Sequence, residues 1–176
     1  MKTVLIAAIT IDGKIAKYPG HNVDWTSKED KQFFRAETKK AGAVIFGSTT
    51  YRAIGRPMPD RLNIVMTRNP AGFANEENAG LLEFASNAPE KILAVLGARG
   101  FSTVVIGGGS EIYSLFLQAG LIDEICLTIA PKIFGKGVNL FKEMEINKIE
   151  LELIEVRKLG EEEVLVRYKL LSKKYL

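Results

Sequence analysis

The sequence predicts an α/β fold: one domain with a mostly parallel central sheet, flanked by helices and completed by a C-terminal antiparallel hairpin. Up to residue 130, short apolar runs rich in β-branched residues alternate with segments of helical spacing, as expected for buried strands linked by helices. The tail instead alternates apolar and polar residues in two runs, which is typical of a hairpin. The 176 residues show no linker or repeat, so we expect a single domain over 1–176.

The elements follow from the two periodicities. Nearly continuous apolar runs predict strands at 3–9, 43–47, 62–67, 81–85, 102–108 and 124–130. Helical spacing predicts helices at 27–40, 49–54, 88–98 and 110–119. Asn87 and Ser110 are candidate helix caps. The tail runs 149–158 and 162–171 are joined by the turn "LGEE".

Composition excludes several classes of function. The chain is 47% hydrophobic and 26% charged with a net charge of +3, and its basic residues are spread out and not interleaved with aromatics. We therefore expect no nucleic-acid partner. The N-terminal run "MKTVLIAAITIDG" is too short to span a membrane and meets Asp12-Gly13 instead of a cleavage site, so it reads as a first strand of a cytoplasmic protein.

Cysteine and histidine usage argues against a metal or a disulfide. Cys126 is the only cysteine and lies in the apolar run "DEICLTIA", which indicates a buried, inert thiol. His21 is the only histidine. Without a second histidine or a cysteine cluster, we expect no metal site.

The stretch "VDWTSKEDKQFF" contains a carboxylate with two possible roles. Ser27 followed three residues later by Asp30 is the pattern of a helix N-terminus, in which Asp30 would be a surface residue of the first turn. However, Phe33 and Phe34 lie on the same helical face as Asp30. A carboxylate on an apolar face needs a partner or a purpose, so Asp30 is a candidate catalytic residue that also tops the first turn.

Two predicted strands run through glycine into a helix. The first junction is Gly47-Ser48-Thr49-Thr50, and the second is Gly107-Gly108-Gly109-Ser110. Glycine lets the backbone approach a ligand, and free N–H groups at a helix start bind phosphate. Ile112 stands where the G-x-G-x-x-G fingerprint needs its last glycine, and Walker A is absent. Either junction could be only a tight turn, but together they favour a dinucleotide cofactor with separated phosphates.

The segment "AIGRPMPDRLNIVMTR" places two arginines around one predicted strand. Prolines on both sides of Met58 make a stiff turn, so Arg61 is expected to leave a rigid base. A guanidinium held in this way can grip a carboxylate with two N–H groups, although a surface arginine is the alternative. Arg68, after Thr67 at the far end of the strand, could meet a phosphate.

Taken together, these motifs resemble dihydrofolate reductase over nearly the whole chain. The matching segments are "VLIAAITIDGKI", "DWTSKEDKQFF", "VIFGSTTYRAIGRPMPDRLNIVMTR", "VVIGGGSEIY" and "ICLTIAPKIFGKG". The related pyrimidine reductase domain of riboflavin synthesis shares "TIDGKIA" and "AGLIDEICLTIAPKIFGKG". It normally lacks the tryptophan with an acid five residues later and the I-G-R-P-x-P-x-R turn, so dihydrofolate reductase is the better match.

The resemblance implies roles for individual residues. Asp30 would hold the pterin ring and support protonation of its N5, and Arg61 would hold the glutamate carboxylate of dihydrofolate. Thr128 would hydrogen-bond back to Asp30. The implied substrate site comprises Ala8, Trp25, Asp30, Phe34, Ile54, Arg61 and Thr128. The implied NADPH site comprises Ala8, Ile15, Gly47, Ser48, Thr49, Thr50, Thr67, Arg68, Ile106, Gly107, Gly108, Gly109, Ser110, Glu111 and Ile112.

The sequence departs from the family pattern at one position important for cofactor choice. Ser48 stands where many family members carry an arginine against the 2′-phosphate, so a preference for NADPH would depend on Arg68. The resemblance implies NADPH-dependent reduction of 7,8-dihydrofolate by a monomer or homodimer. Two alternatives stay open: reduction of a ribosylaminopyrimidine in riboflavin synthesis, and an inactive nucleotide-binding protein of the same fold.

Overall fold

The structure is a computed structural model that describes residues 1–73, 75, 76, 78, 80–145 and 148–171. The predicted domain, 1–176, extends beyond these residues at its C-terminal end. Within them the helices are α1 (Lys28–Ala41), α2 (Ser48–Ile54), α3 (Pro89–Ala98) and α4 (Ser110–Gln118). The strands are β1 (Lys2–Thr10), β2 (Lys14–Ala16), β3 (Ala43–Gly47), β4 (Leu62–Met66), β5 (Leu82–Ala85), β6 (Thr103–Gly108), β7 (Glu124–Ala130), β8 (Val138–Asn139), β9 (Leu151–Leu159) and β10 (Glu163–Leu170).

Eight of the strands form one sheet in the order β5-β4-β3-β6-β1-β7-β10-β9. The pairs from β5 to β7 are all parallel. β10 pairs antiparallel with both β7 and β9. The predicted α/β fold, with a mostly parallel sheet and a C-terminal hairpin, is therefore confirmed.

Both faces of the parallel part are covered by helices. Successive residues of β1 point to opposite faces: Leu5 joins the cluster packed by α3 and α4, whereas Val4 and Ile6 join the cluster against which Phe33 and Phe34 of α1 pack. Strands buried on both sides read as continuous apolar runs. This is why the strand positions could be read from the sequence without an alternating pattern.

Two short strands were not predicted. β2 and β8 form a separate antiparallel pair, in which Lys14 lies opposite Asn139. With three and two residues, they are too short to produce a periodicity. A 3-10 turn at Pro70–Phe73 was also not predicted.

The two expected caps of α3 and α4 are wrong. The N-cap of α3 is Ala88, which makes no side-chain cap hydrogen bond. Pro89 follows at the first helical position, where its missing N–H costs nothing and its fixed φ suits the helix. The N-cap of α4 is Gly109, and Ser110 is already the first helical residue. By contrast, Ser27 caps α1 as predicted, since its side chain accepts the N–H of Asp30.

In the described part of the chain, no helix is both long enough and apolar enough to cross a bilayer.

Candidate functional site

A cavity of about 1490 Å³ opens beside the carboxyl ends of the parallel strands. Its wall includes the first turn of α1 and the starts of α2 and α4, because the chain turns from strand to helix at this edge of the sheet. Ligands of open α/β sheets bind at this kind of edge. Most of the predicted site residues line the cavity: Ala8, Ile15, Asp30, Phe34, Gly47, Ser48, Thr49, Thr50, Ile54, Thr67, Arg68, Gly107, Gly108, Gly109, Ser110, Glu111 and Ile112.

Asp30 is a buried carboxyl on the cavity wall. Only 7% of the residue is exposed, and Phe34 lines the wall one helical turn later. Burial raises the pKa of Asp30, while the nearby hydroxyls of Thr128 and Thr26 act in the opposite direction. The Thr128 hydroxyl thus lies near the Asp30 carboxyl, and the hydrogen bond between them stays a prediction. A carboxyl in this position can accept hydrogen bonds from a ligand ring and can exchange a proton with it.

The N-terminus of α1 orients this carboxyl toward the cavity. The backbone N–H of Asp30 donates to Ser27 Oγ at 3.0 Å, so Asp30 takes part in the cap through its backbone. Its side chain is not used by the cap, because Ser27 N donates instead to Glu163 Oε1 at 3.0 Å.

The glycine junctions meet each other beneath the cavity. A Cβ at Gly109 would lie 3.1 Å from Thr50 Oγ1, and a Cβ at Gly47 would lie 3.0 Å from Ile112 Cγ1. Gly107 faces the ring of Phe46, and a Cβ there would lie 2.4 Å from Phe46 Cε1. The starts of α2 and α4 therefore lie side by side, which only small residues permit.

Gly108 has a backbone conformation that favours glycine. Its φ is +112°, and its peptide bond to Gly109 is cis. The hydroxyl of Tyr113 lies against it and donates to the carbonyl of Ile6 at 2.8 Å. Tyr113 lines the cavity, and burial raises the pKa of its phenol, so the ring presents a neutral group to the site.

An ion-pair cluster lies on the wall beside the start of α4. Arg68 Nη2 lies 2.8 Å from Glu111 Oε1, and Lys142 Nζ lies 3.1 Å from Glu111 Oε2. All three residues line the cavity, and the two cations lower the pKa of Glu111. Lys142 was not predicted, because nothing in the sequence around it signals a ligand site.

Arg61 lies outside the cavity lining. It is 7% exposed, and its Nε donates to the carbonyl of Pro59 at 2.8 Å. Its Nη1 donates to the carbonyl of Arg35 at 2.8 Å and to Thr38 Oγ1. The side chain thus ties the Pro59 turn to α1. Two other cations of that helix, Lys31 and Arg35, line the cavity.

Three further predicted residues do not line the cavity. Trp25 packs edge-on against Phe134, with ring centroids 5.2 Å apart. Thr128 is buried in β7 near Asp30, and its hydroxyl lowers the pKa of that carboxyl. Ile106 is fully buried in β6 among the residues under α3 and α4.

Among the described residues, no group of three or more His, Cys, Asp or Glu side chains could hold a metal ion.

The mostly parallel sheet thus carries a buried carboxyl and two adjoining strand-to-helix glycine junctions at one edge. The chain belongs to the RibD C-terminal domain family, whose model matches residues 2–165. The resemblance predicted from the motifs is therefore confirmed at the level of the superfamily, which contains dihydrofolate reductases and RibD-type pyrimidine reductases.

The proteins similar to this chain include both kinds of reductase. The chain is 31% identical to the dihydrofolate reductase of Haemophilus influenzae over 159 residues, covering 90% of this chain and 89% of the relative. The Enterococcus faecalis dihydrofolate reductase, solved with NADP(H), superposes with a TM-score of 0.68 at 26% identity and 97% coverage of both chains.

A solved pyrimidine reductase structure has the same fold. It is the Thermotoga maritima diaminohydroxyphosphoribosylaminopyrimidine deaminase/5-amino-6-(5-phosphoribosylamino)uracil reductase, with a TM-score of 0.76 at 22% identity. The alignment covers 96% of this chain and 56% of the Thermotoga protein.

Proposed function

We propose that the protein is an NADPH-dependent reductase that acts on a ring with adjacent amino and N–H donors, and that 7,8-dihydrofolate is its substrate. The buried carboxyl of Asp30 on the cavity wall carries this proposal. The edge of a 2-amino-4-oxo ring presents an exocyclic amine next to a ring N–H, and one carboxylate can accept from both. Charge-assisted hydrogen bonds of this kind are about twice as strong as neutral ones.

The same chemistry disfavours a uracil ring that binds through its N3–H edge. In uracil, carbonyl oxygens stand on both sides of the N3–H, so one oxygen of a carboxylate would face an oxygen of the ring. A carboxylate left against an acceptor loses a hydrogen bond and gains repulsion. The donor pattern at Asp30 therefore supports dihydrofolate, or another 2-amino-4-oxo ring, over a uracil that presents its N3–H edge. The 6-aminouracil in the name of the Thermotoga protein also has adjacent N1–H and 6-amino donors, so the choice between these substrates rests on the turnover assay.

In this proposal, NADPH supplies a hydride from nicotinamide C4 to C6 of dihydrofolate. The starts of α2 and α4 would hold its phosphates with backbone N–H groups, and Arg68 and Lys142 would offer charge beside them. Asp30 orients the pterin ring and favours the substrate protonated at N5, and Phe34 supplies apolar wall beside the ring. Alignment and exclusion of water then favour the transfer.

A second candidate is a phosphorylated ribosylaminopyrimidine that keeps the 2-amino-4-oxo edge. Two observations favour it: the family match over residues 2–165, and the cationic wall formed by Lys31 and Arg35, where Arg61 does not reach. Within the described residues, neither Lys31 nor Arg35 forms an ion pair. A phosphate could bind there as well as a glutamate tail.

Turnover assays with three substrates test the proposal. Purified protein and NADPH are mixed with dihydrofolate, with a 2-amino-4-oxo ribosylaminopyrimidine phosphate, or with its uracil counterpart, and the nicotinamide absorbance band is followed. We expect the fastest loss of NADPH with dihydrofolate and the slowest with the uracil. Preference for the uracil would refute dihydrofolate as the substrate. NADPH binding without turnover of any substrate would identify an inactive nucleotide-binding protein.

A further inference from the structure

The N-terminus of α1 has the sequence of a capping box, but the acid that accepts the N–H of the cap residue is not the one in the helix. In a capping box, the N-cap hydroxyl accepts an N–H from the third helical residue, whose acidic side chain accepts the N–H of the cap in return. Ser27 and Asp30 make the first of these bonds. The second is made by a residue 136 positions away: Ser27 N donates to Glu163 Oε1 at 3.0 Å.

Glu163 also accepts a hydrogen bond from the Ser27 hydroxyl through its other carboxyl oxygen. The hydroxyl thus donates to Glu163 while accepting from Asp30 N. One serine links the two acidic residues, and both are buried, with exposures of 4% for Glu163 and 7% for Asp30.

The sheet brings Glu163 to this place. It is the first residue of β10, where the next two residues, Val164 and Leu165, lie opposite Ile129 and Thr128 of β7. The preceding turn also touches the helix, since a Cβ at Gly160 would lie 3.2 Å from Glu29 Cγ. The hairpin therefore supplies the acid of the cap, while β7 supplies the Thr128 hydroxyl.

We propose that Glu163 is a positioning residue for Asp30: it completes the cap of α1 in place of the Asp30 side chain and holds a second negative charge beside it. The first effect leaves the Asp30 carboxyl free to face the cavity. The second favours the protonated form of that carboxyl. The catalytic meaning of this arrangement rests on the proposed reductase function, in which Asp30 contacts the substrate ring.

The charges around Asp30 support this reading. Burial is the main cause of its raised pKa, and the charge of Glu163 on β10 acts in the same direction. On its own helix, Lys31 acts in the opposite direction, as do the hydroxyls of Thr26 and Thr128. Tyr113 of α4 faces it as a neutral phenol.

No cation offsets the pair directly. Among the described residues, none lies within 4.0 Å of either the Asp30 or the Glu163 carboxylate. Removing the charge of Glu163 should therefore change the protonation of Asp30.

Glu163→Gln tests the charge while keeping the size of the side chain and one acceptor oxygen. The titration of the Asp30 carboxyl is followed by carbon-13 NMR, with the signal assigned by its loss in Asp30→Asn. We expect the midpoint to fall by roughly 0.5–1.5 pH units, the scale for losing one like charge nearby. The pH profile of NADPH-dependent reduction should shift by the same amount. Glu162→Gln, an exposed neighbour, should move neither.

A merely structural role gives a different result. If Glu163→Gln lowers the melting temperature but leaves the Asp30 midpoint in place, the charge effect is refuted. Ser27→Ala supplies an independent measurement should Glu163→Gln not fold. It removes the hydroxyl link but keeps the charge, so the Asp30 midpoint should not fall. A fall in Ser27→Ala would assign the effect to the cap and overturn the proposal.

The NMR titration requires no substrate. Failure of every substrate with the unaltered protein would refute the proposed reductase function and would leave the Glu163 result standing. A null titration with normal turnover would refute Glu163 alone.

Discussion

Arg68 Nη2 lies 2.8 Å from Glu111 Oε1 on the cavity wall, so the arginine assigned to the cofactor already has a partner. The pair is open to solvent, with 93% of the Arg68 side chain and 56% of that of Glu111 exposed. Exposed pairs contribute only about 0–1 kcal/mol. A cofactor phosphate can therefore displace Glu111 at little cost, and Lys142 remains to hold the carboxylate.

Arg68→Ala should weaken NADPH binding by about 1–3 kcal/mol, the range for one charged hydrogen bond, and should leave NADH binding nearly unchanged. Binding titrations with the two cofactors measure this. Arg99→Ala is the matched control, because Arg99 makes a similar 2.8 Å pair with Glu83 away from the cavity. Equal affinity of the unaltered protein for NADPH and NADH would refute the role of Arg68.

Glu111→Gln should have the opposite effect. It releases both Arg68 and Lys142, so NADPH should bind about 2–5-fold more tightly, as expected for the loss of a weak exposed competitor. The gain should shrink as salt is added, because the charges are exposed. An unchanged NADPH affinity at low salt would show that the pair does not compete with the cofactor.

Asp30→Asn should reduce dihydrofolate turnover by ~100-fold or more at neutral pH, the scale for losing acid–base assistance. NADPH affinity should stay the same. Turnover of the variant should recover as the pH falls, because bulk protons then supply the N5-protonated substrate. Glu29→Gln changes an exposed acid of the same turn and should have no such effect. Full neutral-pH activity in Asp30→Asn would remove the residue from the chemistry.

The same substitution should affect stability in a pH-dependent way. The folded-state pKa of Asp30 lies above the ordinary value of 3.8. At pH values between the two, the folded protein therefore keeps a proton that the unfolded chain has released. The stability that Asp30 contributes is fully present at pH values below its ordinary pKa, and it is lost as the pH rises through the folded-state pKa. Asp30→Asn should thus raise the melting temperature relative to the unaltered protein at neutral pH and not at acid pH. A variant that melts lower at neutral pH would contradict this.

Arg61→Leu should lower the free energy of unfolding by about 2–3 kcal/mol, because the carbonyls of Pro59 and Arg35 and the buried hydroxyl of Thr38 would lose their donor. Denaturant titration measures this, with exposed Arg35→Leu as the comparison.

The same two variants test which cation binds the glutamate carboxylate of the substrate. If Arg61 holds the glutamate carboxylate, Arg61→Leu raises KM for dihydrofolate but not for an analogue without that carboxylate. If the cationic wall holds it, Arg35→Leu does so instead.

Gly107→Ala should destabilise the protein by about 1–3 kcal/mol, the usual range for overpacking, because its Cβ would lie 2.4 Å from Phe46 Cε1. Gly97→Ala is the contrasting control. It lies within α3 with nothing within 4 Å of an added Cβ, so it should stabilise by about 0.5–1 kcal/mol. Equal melting temperatures for the two variants would refute the packing argument.

Much of the fold could be predicted from local patterns. The buried parallel strands are continuous apolar runs, Ser27 is a side chain suited to an N-cap, and glycines stand where strands turn into helices. The spacing of Asp30, Phe33 and Phe34 also indicated an inward carboxylate, and Asp30 is indeed buried. In each case, the interacting residues are close in sequence, within one or two helical turns or along one strand.

What the sequence by itself determined was therefore the helices and the eight strands of the main sheet, their order along the chain, and a candidate carboxylate. The tertiary structure decided what each charged group contacts: Glu163 completes the Ser27 cap from 136 residues away, Arg61 is turned into the protein, and Arg68 pairs with Glu111 across 43 residues. Such pairs leave no periodicity in the chain, because their geometry depends on which strands the sheet places side by side. Burial and neighbouring charge then set the protonation of Asp30, and both exist only in the folded protein.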